Sequence, residues 1–363
     1  MTAQPTFAHH ALIYESADEL MAAAVPFLTE GLEAGQEAIL LCPPALARAI
    51  AAAVGRGGPM RAIDPEDVFT GSVRALAAIR RVALGHDGGG VRIVASAPLG
   101  RSLDGWQEWG RYEAAVNVAL APLHLSCICA YDGRDMPDPM RSIIGRTHPY
   151  LRTPGDVRAN PDFLDPATFV RWTAAAAADP VEQAAPDIEI PAIVDVYDLA
   201  EARSAVRAAL TRARVSGLIA ADCTAAAGEL LANAFQHGRP PVRLRLWIRP
   251  DRLVCTVHDH GPGVDDPLAG YVPPPDPGEH GGAGLWLARQ TCDRLDMRHD
   301  GDGFTVRAMT LLDRQHIGVR AAAAKARAEL AHRRAQAARL QAQKISDRLR
   351  RQQQEFALRN RRD

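Results

Sequence analysis

The sequence predicts an α/β domain and an α+β domain in tandem, followed by a long basic helix. Three observations carry this. Short apolar runs alternate with amphipathic helical patterns up to about residue 170, the signature of a mainly parallel sheet with crossover helices. An Ala- and Pro-rich stretch without core periodicity then begins at Thr173, as a domain boundary does. From about residue 314 the chain becomes rich in Ala, Arg and Gln with heptad spacing. These features place an N-terminal domain at 1–171, a linker at 172–188, a second domain at 189–313 and a tail at 314–363. A chain of 363 residues is long enough for each domain to bury its own core.

In the first domain Ala11–Tyr14 reads as a strand, with a helix from Ala17 to Glu33 capped by Ser16. Ala38–Cys42, Val91–Ala95 and Ser126–Tyr131 are further strands, interleaved with helices at Pro44–Val54, Val73–Ala83 and Leu103–Ala119. Ligands of parallel sheets bind beyond the carboxyl ends of the strands. No GxxxxGK[ST] phosphate loop occurs, so a nucleotide is not expected there. The polar residues His10, Tyr131, Asp132 and His148 are expected to satisfy hydrogen bonds in the core or at turns.

The second domain begins with a strand at Ile188–Val196 and an amphipathic helix at Asp198–Ser216. A helix at Ala221–His237 carries Glu229, Asn233 and His237 at four-residue spacing, on one face. Gly238 and Pro240-Pro241 end it. Strands Val242–Ile248 and Leu253–His258 follow, the second running into Asp259-His-Gly261-Pro-Gly263, where glycine lets backbone approach a ligand closely. Gly281-Gly282-Ala-Gly284-Leu285 opens a helix, whose free N–H groups and dipole favour phosphate. Phe304–Leu311, with Thr305, is a closing strand. Taken singly, each cluster has an ordinary explanation as a solvated face or a turn.

Composition bounds the function. Apolar residues make up 47% and charged residues 23%, as in soluble globular proteins. No run of eighteen apolar residues and no signal-peptide pattern occur, so a cytoplasmic location without membrane insertion is expected. The six cysteines form no CxxC pair and read as small core residues. Residues 314–363 hold 14 Lys/Arg against 4 Asp/Glu, whereas the rest holds 28 against 39. The seam Ile317, Ala321, Ala324, Ala328, Ala331, Ala335, Ala338, Ala342, Ile345, Leu349, Gln352, Phe356 leaves two readings of the tail. It is either a solvated or self-pairing helix that makes a homodimer, or a basic helix docking on an acidic partner or nucleic acid.

The order of the three clusters resembles the N-box and the two glycine boxes of the GHKL ATPase superfamily, which also contains gyrase and histidine kinase ATP domains. That resemblance covers residues 190–312 and implies a Bergerat-type α/β sandwich binding ATP and Mg²⁺. By position, Asn233 would hold Mg²⁺ bridging the phosphates, with His237 on the same face. Asp259 would read the adenine amine in a loop shaped by Gly261 and Gly263. Gly282 and Gly284 would contact phosphate beside Leu285, and Thr305 would support the adenine end. Glu229 would be the general base or would orient the attacking hydroxyl, and Val264–His280 would be a proline-rich lid ordered by nucleotide. The first domain resembles the MEDS sensory domain, a RecA-like module, through His9-His10-Ala-Leu-Ile-Tyr14, Trp109-Gly-Arg-Tyr112-Glu113, Cys129-Ala-Tyr131-Asp132 and His148-Pro149. This implies sensing of a small molecule or a protein signal.

Of the twelve histidines, His86, His258 and His299 precede an Asp, and no long helical hairpin lies before Ile188, which disfavours an autophosphorylating histidine kinase. The compact ATP domain is similar to the anti-sigma-factor switch kinases, implying a sigma factor and a serine-bearing antagonist protein as partners. Two alternatives stay open: a non-catalytic ATP-gated interaction module, or an atypical sensor histidine kinase without its own phosphoacceptor helix.

Overall fold

A computed structural model describes residues 7–55, 58–69, 72–85, 89–96, 103–174, 179–272 and 283–312. The basic tail and its heptad seam lie outside the described residues.

The first half runs β1 (Ala8–Tyr14), α1 (Ala17–Glu33), β2 (Glu37–Leu41), α2 (Pro44–Val54), β3 (Met60–Ile63), α3 (Pro65–Val68), α4 (Ser72–Leu84), β4 (Val91–Ala95), α5 (Leu103–Ala119), β5 (Leu125–Asp132), α6 (Asp138–Thr147), β6 (Tyr150–Thr153), β7 (Asp156–Ala159) and α7 (Pro166–Ala174). Its seven strands are ordered β3-β2-β4-β5-β1-β6-β7, all neighbours parallel except the β6–β7 hairpin at one edge. Side chains alternate across a strand, and β5 shows the consequence. Ile128 and Ala130 join the core under α1 and α2 with Leu20, Phe27 and Leu28, while Leu125 and Cys127 face α4 and α5. Ser16 caps α1 as expected, its side chain accepting from the Glu19 amide at 3.2 Å.

The second half runs β8 (Ile188–Ile193), α8 (Val196–Arg212), α9 (Gly217–His237), β9 (Val242–Ile248), β10 (Arg252–Asp259), α10 (Ala283–Thr291), β11 (Arg294–Asp300) and β12 (Gly303–Leu311). Its antiparallel sheet is ordered β11-β12-β10-β9-β8. The 21 residues of α9 are apolar and long enough to cross a membrane, but Leu230, Leu231 and eight others are buried in the fold.

The expected linker carries structure where it is described. Thr173 is buried in the last turn of α7, and Pro180–Gln183 forms a 3₁₀ turn behind the second sheet, where Val181 packs against Trp247, Val254 and Met309. The Trp247 indole donates to the Ala184 carbonyl at 2.8 Å.

The two sheets are joined by helices. Tyr271 and Trp286 are buried in one cluster with Leu76, Tyr112 and Val116 of α4 and α5. Beside this cluster Arg111 of α5 is almost fully buried and donates to Asp296 of β11 at 2.6 Å and to the Thr173 carbonyl at 2.8 Å. Burial alone would raise the Asp296 carboxyl, but Arg111, Arg294 and Arg307 hold it below the usual carboxylate range. Breaking one partner of a buried pair strands the other charge. Arg111→Ala should therefore destabilise the fold by about 3 kcal/mol, read as a lowered urea midpoint, with Arg111→Lys recovering part of the loss. An unchanged midpoint would show that the pair contributes nothing.

Candidate functional site

The carboxyl end of α9, the loop after β10 and the start of α10 converge on the helix-covered face of the second sheet. Successive residues of β10 alternate between faces. Asp259 therefore turns towards α9, while His258 turns to the opposite face.

Asp259 is buried, and its Oδ1 accepts from the Gly261 amide at 2.6 Å and the Arg239 amide at 3.3 Å. The His260 amide donates to the Arg239 carbonyl at 3.0 Å, so the loop is stitched to the end of α9. This closeness needs glycine on both sides. A Cβ on Gly261 would lie 2.5 Å from Gly238 Cα, and one on Gly238 would meet the Asp259 carboxylate. Gly238 thus does more than stop a helix, a role that only the spatial pairing reveals. Gly263 holds a φ of 71°, the left-handed region glycine enters without strain, and packs flat on Phe304.

The Asn233 side chain faces the first turn of α10, where a Cβ on Gly284 would lie 2.5 Å from its Oδ1. Its Nδ2 is buried and has no partner among the described residues. Glu229 lies one turn earlier on α9, half-buried, and burial raises its carboxyl pKa, with Arg203 of α8 opposing the shift. Arg203 was not singled out from sequence. It lies along α9, close enough that a Cβ on Gly228 would meet its Cδ at 2.9 Å. His237 is exposed at the end of α9. Leu285 follows Gly284 and backs onto Gly270. Gly282 lies outside the described residues.

One expectation is corrected. Thr305 pairs with His258 in the β10–β12 register and so shares its face, away from Asp259. Its hydroxyl is bonded to Asp300 and to His258 Nδ1, leaving it no route to the Asp259 loop. The expected lid, Val264–His280, is described only to Val272, and that part is anchored. Tyr271 is buried under the Arg289 guanidinium at 3.9 Å, and the Asp265 carbonyl accepts from Arg171 of α7 at 3.1 Å.

The buried Asn233 amide and the start of α10 offer N–H donors suited to an anion, while the Asp259 carboxylate between its glycines offers an acceptor suited to an amine. Gly284→Ala would drive a methyl into Asn233. It should weaken binding of a fluorescent ATP analogue by at least about tenfold, or ~1.4 kcal/mol, with circular dichroism unchanged. Equal affinities would remove Asn233 and α10 from the site.

Residues 194–310 match the family model described as a histidine kinase-like ATPase domain, and residues 8–149 match MEDS, the MEthanogen/methylotroph, DcmR Sensory domain. No curated protein matches the chain. Among solved structures, the histidine kinase domain from the Erythrobacter litoralis EL346 blue-light activated histidine kinase aligns with 19% identity, over 51% of this chain and 79% of that chain. Its TM-score of 0.22 is too low to carry a structural argument. The two matched segments show that this chain joins an N-terminal MEDS domain to a histidine kinase-like ATPase domain of the GHKL class.

Proposed function

We propose that the protein is a cytoplasmic ATP-binding signalling regulator of the anti-sigma-factor switch-kinase type, in which the MEDS domain controls a Mg²⁺-dependent protein serine/threonine kinase. The observation that carries the ATP-binding part is the meeting of Asn233 with the Gly284 turn, on the same face of the sheet as the buried Asp259. In this reading Asp259 accepts from the adenine amine, Asn233 orients the ion on the phosphates, and the α10 N-terminus faces phosphate oxygen. Bound Mg²⁺ supplies charge neutralisation of the transferring group.

Glu229 supports the catalytic part. A carboxylate whose proton affinity is raised by burial is a better base than one in water. In this reading Glu229, four residues before Asn233 on the same helix, takes the proton of an incoming serine hydroxyl. Control by the first domain is supported by α10 itself. The helix that presents Gly284 also buries Trp286 against α4 and α5, and the Arg74 guanidinium contacts the Gln290 carbonyl. Any shift of α5 is therefore felt at the helix that borders the pocket.

The test combines the full chain, labelled ATP-Mg²⁺ and candidate sigma-factor antagonists. Phosphoserine on an antagonist is expected, and Glu229→Gln should slow transfer by at least about 100-fold with ATP affinity unchanged. ATP binding without transfer to any antagonist would favour the non-catalytic module, in which nucleotide state only sets partner choice. Phosphohistidine on a separate acceptor protein would favour the atypical histidine kinase.

A further inference from the structure

The first domain holds a second set of convergent polar groups, unrelated to the nucleotide pocket. His9 on β1 and Cys129 on β5 lie on the face of the parallel sheet that α5 covers, because His9 pairs with Cys127 and Cys129 is two residues on. Glu113 of α5 and His148, directly after α6, close over them. One donor atom from each of the four residues lies within 4.8 Å of every other. His9, Glu113 and His148 are almost fully buried, at 0%, 1% and 0% exposure.

The individual separations are those of a coordination shell. Glu113 Oε2 is 3.2 Å from His9 Nε2 and 3.7 Å from His148 Nε2. The Cys129 sulfur is 3.4 Å from His9 Nε2 and 3.9 Å from Glu113 Oε2. Zinc bonds of about 2.0–2.1 Å to nitrogen or oxygen and about 2.3 Å to sulfur give a tetrahedron with edges of roughly 3.3–3.6 Å.

The surrounding hydrogen bonds fix which atoms face inward. The Asn117 amide nitrogen donates to the Glu113 and Thr147 carbonyls at 2.9 and 2.8 Å, so its oxygen is left to accept from His9 Nδ1 at 3.1 Å. His148 Nδ1 meets the Ile144 carbonyl, a pure acceptor, at 3.0 Å and must donate. Both rings therefore turn Nε2 towards the cluster. The Tyr131 hydroxyl donates to Glu113 Oε1 at 2.8 Å, aiming Oε2 the same way. Orienting partners of this kind hold metal-ligating imidazoles and carboxylates in place.

From this geometry we propose that His9, Glu113, Cys129 and His148 form a metal site in the first domain, taking one divalent first-row transition ion of the zinc class. Two imidazoles, one thiolate and one carboxylate are a borderline-soft N/S/O set, which suits such an ion and not Mg²⁺ or Ca²⁺. The competing account is a metal-free His9–Glu113 ion pair within a buried hydrogen-bond network.

The proposal is tested on the full chain, stripped with chelator and then dialysed against Zn²⁺ or Co²⁺ without nucleotide. One equivalent of metal should be retained through gel filtration, and the cobalt form should show four-coordinate visible bands with a sulfur-to-cobalt charge-transfer band. Cys129→Ser should abolish the charge-transfer band, and His148→Gln should weaken metal binding at least 100-fold, each with unchanged circular dichroism. His260→Ala serves as a control, because His258, His260 and Asp302 form a second, more exposed group, and it should change neither signal. No retained metal in the wild-type chain overturns the proposal in favour of the ion pair. Retained metal with an unaltered cobalt spectrum in Cys129→Ser overturns it in favour of a site elsewhere.

Discussion

Helix α10 works under two packing demands at once, and both are met within its first two turns. Its opening turn must have no side chain at Gly284, because the Asn233 amide occupies that space. Two residues on, Trp286 is buried among aromatic and aliphatic side chains of the first domain. A rigid helix cannot satisfy one contact and move freely at the other, since its residues are fixed at 1.5 Å rise each. The Gly284 turn and the interdomain contact therefore move as one body. Tyr271, held by Arg289 of the same helix, brings the turn at Gly270–Tyr271 into that body.

A second constraint is electrostatic. Arg111, Asp296, Arg307 and Glu182 are all substantially buried between elements far apart in sequence. Buried charges stay only where they are paired. This network spans α5, β11, β12 and the 3₁₀ turn at Pro180–Gln183, so it fixes the back of the second sheet against the first domain. Segment 179–188, which in sequence has no core periodicity, belongs to this arrangement through Val181, Glu182 and Ala184.

The two candidate sites obey different physics. Around Asp259 the fold works by close approach: glycines at 238 and 261 bring backbone amides onto one carboxylate. Around Glu113 it works by mutual orientation, with Asn117, Tyr131 and the Ile144 carbonyl fixing His9, Glu113 and His148 in turn, and the Thr147 carbonyl fixing Asn117. Glu113 and Tyr112 are neighbours on α5, and Tyr112 packs in the cluster that contains Trp286. The inner polar set of the first domain is thus one residue removed from the contact with α10.

Long apolar periodicities were legible in the sequence by themselves: α1, α2 and α5 and strands β4 and β9 begin and end where their patterns do. The placing of Glu229 and Asn233 one turn apart on a single helix, and the need for glycine at 261, 263 and 284, were legible too, because helical spacing and glycine geometry are local properties. Strands β6, β7 and β11 were not. Tyr150–Thr153 and Asp156–Ala159 form an edge hairpin with little apolar content, and Arg294–Asp300 alternates only through Leu295 and Met297. Thr305 was misplaced because period-two alternation says that neighbours face opposite ways but not which face meets α9. Cys129, His9, Glu113 and His148 are spread over 140 residues, and three-dimensional packing alone brought their donor atoms together. Sequence determined most of the elements and the residue types that each cluster carries. Tertiary structure decided which face each strand presents and which distant side chains share a site, because those depend on strand order and register that no local pattern encodes.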